Sequence, residues 1–253
     1  MFPIPQKHDG PKKHRPVAIV LDRSQSTYYL REGMNRIFRH AMQTMKNQTE
    51  YRQITELLVI QFDTEPEVMA QFTPLADVDP AVLELRQCAH CTNTGKALLL
   101  ALELLTQKKQ KYRELGEECF QPLLFLVSDG EPDPGENAPP EVVREYARLY
   151  AQAGARIRQM EENKKLVFAA ASLWNQSAEP VTGREAELRK ERRVQRVREL
   201  TLHSDHVVGM DVSAEDLGGI ERFFEIVLQA TKARPWGTPL ADMLQDLFPD
   251  EDL

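Results

Sequence analysis

Short, uninterrupted apolar runs recur along the chain with amphipathic stretches between them, and few folds accommodate that alternation. The runs are VAIVL, inside a strand expected over about 17–22, then TELLVIQFDT at 55–64, PLLFLVSDG at 122–130, KLVFAAASLW at 165–174 and HVVGMDV at 206–212. A strand that is apolar on both faces belongs inside a sheet covered by helices on both sides, the usual state of parallel sheets. EVMAQFTPL at 67–75 alternates instead, so it is expected to pair beside the preceding strand as an antiparallel edge. Between these runs, Leu30, Met34, Ile37, Phe38, Ala41, Met42 and Met45 share one helical face. Val143, Tyr146, Tyr150, Ala153, Ile157 and Met160 do the same further on, and TGKALLLALELL at 94–105 is apolar nearly all round, as in a deeply buried helix. The fold class read from this pattern is α/β: a doubly wound, mostly parallel central sheet with helices on both faces and one antiparallel edge strand.

The 253 residues suffice for one such domain, expected over 16–233, with a polar arm at 1–15 and an acidic amphipathic tail at 234–253. The formal net charge of −7 argues against a phosphate-backbone binder, so no nucleic-acid partner is expected. No run has signal-peptide or membrane-spanning length, and three cysteines make no disulfide framework, so a cytoplasmic protein with no membrane contact is expected.

Polar oxygen groups gather where apolar runs end. Asp22, Ser24 and Ser26 follow the first run, Thr92 and Thr94 precede the 94–105 helix, and Asp129 closes the 122–130 run. Ligands of open α/β sheets bind beyond the carboxyl ends of the strands, so these groups are candidates for one site. Two carboxylates and several hydroxyls, without nitrogen or sulfur, suit Mg²⁺ or Mn²⁺ with water completing the shell. If Asp129 reaches the ion through water, the ion stays electrophilic and welcomes an anionic ligand such as a partner's Glu or Asp. The plainer alternative is that Ser26 and Thr94 cap helices and Asp129 makes a turn with Gly130.

In DRSQS, TNTGKAL and LVSDGEP the chain resembles the von Willebrand factor A (VWA) family, whose metal-ion-dependent adhesion site (MIDAS) is built from three such loops. The resemblance implies Asp22, Ser24, Ser26, Thr92 and Asp129 as metal-site residues. Its overall look is closest to stand-alone cytoplasmic bacterial members of the tellurium-resistance type. The function implied is a protein-binding module that presents a divalent ion to an acidic residue of a partner in an assembly or signalling system. A kinase, phosphatase or ATPase of the same system is the implied partner. The chain departs from the family in carrying His90-Cys91 where glycines often precede the threonine.

Catalysis is the lesser expectation. An aspartyl phosphatase would want a second Asp where Ser24 stands, and neither a Walker-type lysine loop nor GxGxxG is present. The runner-up readings are a metal-assisted phosphoryl-transfer or hydrolytic enzyme, and a VWA scaffold whose ion site is vestigial. Cys88, His90 and Cys91 could join Cys119 around zinc, but plain thiols are the stronger reading. Arg184 to Leu200 is read as a solvated helix with Val194, Val197 and Leu200 as its buried edge. Ser213 and Asp216 have capping-box spacing before a last helix with the stripe Leu217, Ile220, Phe224, Val227 and Leu228. In the tail, 238–253 spaces Leu240, Met243, Leu244, Leu247 and Phe248 as one helical face among five acids; a helix folded back on its own domain is the first reading, a second docking element for a partner's groove the alternative.

Overall fold

The computed structural model describes residues 13–47, 54–86, 91–129, 132–175, 182–213 and 216–230, without the side chains of 26, 28, 29, 45 and 226–230. Seven strands form one sheet: β1 (Lys13–Asp22), β2 (Thr55–Phe62), β3 (Pro66–Pro74), β4 (Glu118–Cys119), β5 (Leu123–Ser128), β6 (Val167–Asn175) and β7 (Val207–Val212). The order across the sheet is β3-β2-β1-β5-β6-β7, with β4 pairing beside the start of β1. Every pairing is parallel except β2 with β3, the antiparallel edge. The chain builds outward from β1 to β3, then returns to the other side of β1 and builds outward again through β5, β6 and β7. The reversal between β1 and β5 opens a crevice beyond the carboxyl ends of those strands, where ligands of such sheets bind.

Two cores explain why the strands read as apolar throughout. Alternate residues point to opposite faces, so Val17, Ile19 and Leu21 enter one core and Ala18 and Val20 the other. The first core is closed by α1 (Arg31–Asn47) and α5 (Gly218–Ala230) through Met34, Phe38, Ile220, Phe223 and Phe224. The second is closed by α2 (Thr94–Glu114), α3 (Pro140–Glu162) and α4 (Arg184–Arg198) through Leu98, Leu102, Ile157 and Val197. Leu30, Ile37, Ala41 and Met42 are buried as the periodicity predicts, while the side chains of Met45, Val227 and Leu228 lie outside the description.

Several expectations need correction. β1 starts at Lys13, so residues 13–15 are sheet rather than arm. These polar residues are accommodated by partners: His14 Nδ1 lies 2.8 Å from Glu56 Oε1 and Nε2 lies 3.1 Å from Glu117 Oε2, while Arg15 stacks over the Phe120 ring. The helix expected at 94–105 is buried on one side only, since Leu99, Leu100 and Leu104 are partly exposed and Glu103 is exposed. It also runs on to Glu114, because the first stop signal comes at Gly116, with φ +68°. There the Gly116 and Glu117 amides bond back to the Arg113 and Tyr112 carbonyls at 3.1 and 2.9 Å, a Schellman ending. Val143 is 47% exposed, outside the buried stripe of α3. Ser213 Oγ accepts from the Asp216 amide at 3.0 Å, and Asp216 Oδ1 accepts the Gly218 amide at the head of α5 at 3.0 Å.

Candidate metal centre

β1 ends on Asp22, whose carboxylate is buried and turned back over its own chain. Oδ1 accepts the Ser24 amide at 2.8 Å, an Asx turn that curls the loop above the strand end. Oδ2 accepts the Ser128 hydroxyl at 2.6 Å, which ties the end of β1 to the end of β5 across the reversal. The Ser24 hydroxyl also bonds the Asp22 carboxylate. Thr27, 2% exposed, pins the loop by donating its hydroxyl to the Ser24 carbonyl at 2.8 Å. The backbone of Ser26 enters the short 3-10 turn Gln25–Leu30; its side chain lies outside the description.

The second loop is anchored on both sides. Thr92 exchanges backbone hydrogen bonds with Asp133 at 2.7 and 3.0 Å, and the Asn93 amide donates to the Asp63 carbonyl at 2.7 Å. Asn93, not Thr94, caps α2: its side chain accepts the Lys96 amide at 3.2 Å. Thr94 Oγ1 is buried and makes no hydrogen bond among the described residues. Gly95 explains how α2 can begin here, for a Cβ at that position would stand 2.4 Å from the Tyr150 backbone nitrogen of α3.

The third element is Asp129, one residue past β5 and half-buried. Its charge acts on Asp22. Burial first, and then repulsion by Asp129, push the Asp22 carboxyl up from 3.8 to about 7, against the lowering effect of the Ser128 and Ser24 hydrogen bonds. Among the described residues, no basic side chain is among the groups that offset it. The nearest loop cation, Arg23, is turned away: its Nε donates to Asp63 Oδ2 at 3.0 Å and Nη1 to Glu67 Oε2 at 2.8 Å. Asp22, Ser24 and Asp129 are therefore brought together, and buried Thr92 stands one residue before Asn93, which is tied to Asp63 just past the end of β2.

This donor set fits a hard divalent cation. Two repelling carboxylates, one fully buried, want a positive charge between them, and the surrounding donors are hydroxyl oxygens. Asp22, Ser24, Ser26, Thr92 and Asp129 would hold the ion, which supplies a Lewis-acidic point for an anionic ligand. Four positions escaped the sequence reading. Ser128 adjoins Asp129 and could have been noticed as a hydroxyl at a strand end; Asn93 resembles any helix cap. Arg23 and Asp63 pair across 40 positions and leave no local signal. The zinc reading loses its fourth ligand. Cys119 lies beside His14 at the start of β1, some eight strand residues, or about 25 Å, from the end that Cys91 adjoins, and both thiols are free. Cys88 and His90 lie outside the described residues.

The family model for the von Willebrand factor type A domain matches residues 17–166, more than half of the chain. The chain belongs to that family. Solved structures agree in fold. The pilus adhesin SpaC from Lactobacillus rhamnosus GG, in an open conformation, is similar with a TM-score of 0.61 at 11% identity over 93% of this chain and 30% of that one. The vWF domain of the type V pili tip protein Mfa5 from Porphyromonas gingivalis gives 0.58 at 11% identity, over 89% and 98%. Proximal thread matrix protein 1 from the mussel byssus gives 0.50 at 14% identity, over 86% and 46%. The chain thus spans less than half of the mussel and SpaC chains, and at these identities the likeness to VWA structures is one of fold. No curated protein matches it. Among the described residues, no helix is long and apolar enough to cross a membrane.

Proposed function

We propose that this VWA protein is a binding module. It holds Mg²⁺ or Mn²⁺ at Asp22, Ser24, Ser26, Thr92 and Asp129 and offers it to a carboxylate of a partner protein. The single observation behind this reading is the state of Asp22 at the strand end: fully buried and raised to about 7 by burial and by Asp129, with no basic side chain among the described groups that lower it. Binding, rather than turnover, is favoured by the neighbours of Asp22. They are hydroxyls and backbone amides, and among the described residues no histidine or cysteine stands within the hydrogen bonds around Asp22 to shuttle a proton or attack a substrate. A cytoplasmic location, a kinase, phosphatase or ATPase as partner, and affinity to the tellurium-resistance type belong to the same proposal and rest on the sequence alone.

Calorimetric titration with Mg²⁺ and Mn²⁺ tests it, comparing wild type with Asp22→Ala and Ser24→Ala. Heat of binding in the wild type, lost in Asp22→Ala and weakened in Ser24→Ala, is the expected result. Equal heats in all three mean a vestigial site. Metal-dependent turnover of a generic phosphoester, abolished in the variants, turns the reading toward an enzyme.

A further inference from the structure

The turn between β2 and β3 supplies no candidate ligand, yet both ligand loops are fastened to it at their middle residues. Arg23, between Asp22 and Ser24, donates from Nε to Asp63 Oδ2 at 3.0 Å. Asn93, between Thr92 and Thr94, donates its amide to the carbonyl of the same residue at 2.7 Å. Asp63 is itself 6% exposed, and its other carboxylate oxygen accepts the Glu65 amide at 3.2 Å, which fixes the shape of the turn. At the start of β3, Glu67 takes Arg23 Nη1 at 2.8 Å and Arg86 Nη1 at 3.2 Å. Glu65 takes Lys96, in the first turn of α2, at 2.5 and 2.6 Å. The exposed pairs contribute little by themselves. The Arg23–Asp63 pair is different: both side chains are largely buried, at 13% and 9% exposed, and the bond is charge-assisted.

We infer that Asp63 is a positioning residue, a shared post whose side chain sets the first ligand loop and whose backbone sets the second, so that the separation of Asp22 and Ser24 from Thr92 is governed by one amino acid outside the motif. A second consequence is electrostatic. By holding the Arg23 guanidinium toward the β3 side, Asp63 keeps the loop's own cation from neutralising Asp22. This inference deepens the metal-site reading and rests on it for the affinity it expects, though the coupling of the two loops can be read without any metal.

The test compares full-length wild type, Asp63→Ala and Arg23→Ala by amide hydrogen exchange over segments 22–28 and 91–97, and by Mn²⁺ titration. Losing a charge-assisted bond in this setting should speed exchange roughly tenfold. Asp63→Ala also loses the carboxylate bond to the Glu65 amide that shapes the turn and aims the Asp63 carbonyl at Asn93, so it is expected to do so in both segments, Arg23→Ala in 22–28 only. Mn²⁺ affinity of Asp63→Ala should fall roughly tenfold, as for other residues that orient ligands from behind. Adding Arg23→Ala to Asp63→Ala should restore part of that affinity, because the freed cation is then gone; a purely structural role gives no such recovery. Acceleration confined to 22–28 in Asp63→Ala, or none at all, overturns the inference. Should Asp63→Ala not fold, Asp63→Asn is read over the same two segments: its Oδ1 can keep the Glu65 amide while its Nδ2 cannot accept Arg23, so faster exchange in 22–28 with 91–97 unchanged is expected, and no change in 22–28 overturns the inference. A wild type that takes up no Mn²⁺ overturns the metal-site reading instead, and the exchange rates still decide the role of Asp63.

Discussion

Asp22→Asn should stabilise the metal-free protein, and by an amount that grows with pH. The folded chain holds the Asp22 carboxyl at about 7 against an ordinary 3.8, a gap of about three units. At about 1.4 kcal/mol per unit, the ionised carboxylate costs the fold about 4 kcal/mol once the pH exceeds both values. Between the two values the folded state keeps a proton that the unfolded chain has released, so stability falls as the pH climbs from about 4 to about 7. Asparagine removes that slope while its Oδ1 can still accept the Ser24 amide and its Nδ2 can face the Ser128 hydroxyl. Urea denaturation in EDTA at pH 5, 6, 7 and 8, for wild type and Asp22→Asn, measures the difference. The variant should gain progressively with pH, up to about 4 kcal/mol at pH 8, and the gain should vanish when saturating Mg²⁺ stabilises the wild type. Taking the difference cancels contributions from other titrating groups. A variant no more stable than wild type at pH 8, or a gap that does not change with pH, would refute the idea that Asp22 is an uncompensated buried charge.

Other consequences are simpler to check. Ser128→Ala removes the 2.6 Å bond that favours the ionised carboxylate; Mn²⁺ affinity near pH 7 should drop roughly tenfold by calorimetry, as the proton competes better. Gly95→Ala forces a Cβ to within 2.4 Å of the Tyr150 nitrogen, and should lower stability by about 1–3 kcal/mol in a denaturant titration. His206 is buried with Nδ1 3.1 Å from the Phe168 carbonyl, and burial lowers its pKa below 6.5. The unfolded chain therefore takes up a proton that the folded chain resists, stability is lost as the pH falls through and below 6.5, and His206→Gln should flatten that acid slope.

How much of this could be read in advance depends on whether a residue's partner is close in sequence. β1 from Val17, β2, β5 and β6 announce themselves, because strands buried on both faces need no alternation and leave unbroken apolar runs. Asp22, Ser24, Thr92 and Asp129 were visible for a related reason: each sits just where a run stops or a helix begins. The first residues of β1 were hidden because Lys13, His14 and Arg15 look solvated until Glu56, Glu117 and Phe120 are brought beside them by the fold. Thr94 looked like the cap of α2, but the carbonyl of Asp63 holds Asn93 in place to do that work. The outward leucines of α2 misled for a different reason. A helix lying on a sheet with a neighbour along one flank half-covers residues that a helical wheel counts as core.

β1 carries the first ligand loop and is also the central strand, in register with β2 over eight residue pairs and with β5 over five. A partner tugging on Asp22 along the strand axis would load both ladders in shear, so that many hydrogen bonds must give way together rather than one after another. A pull entering at Asp22 would thus pass into β1 and be shared by the strands on either side of it.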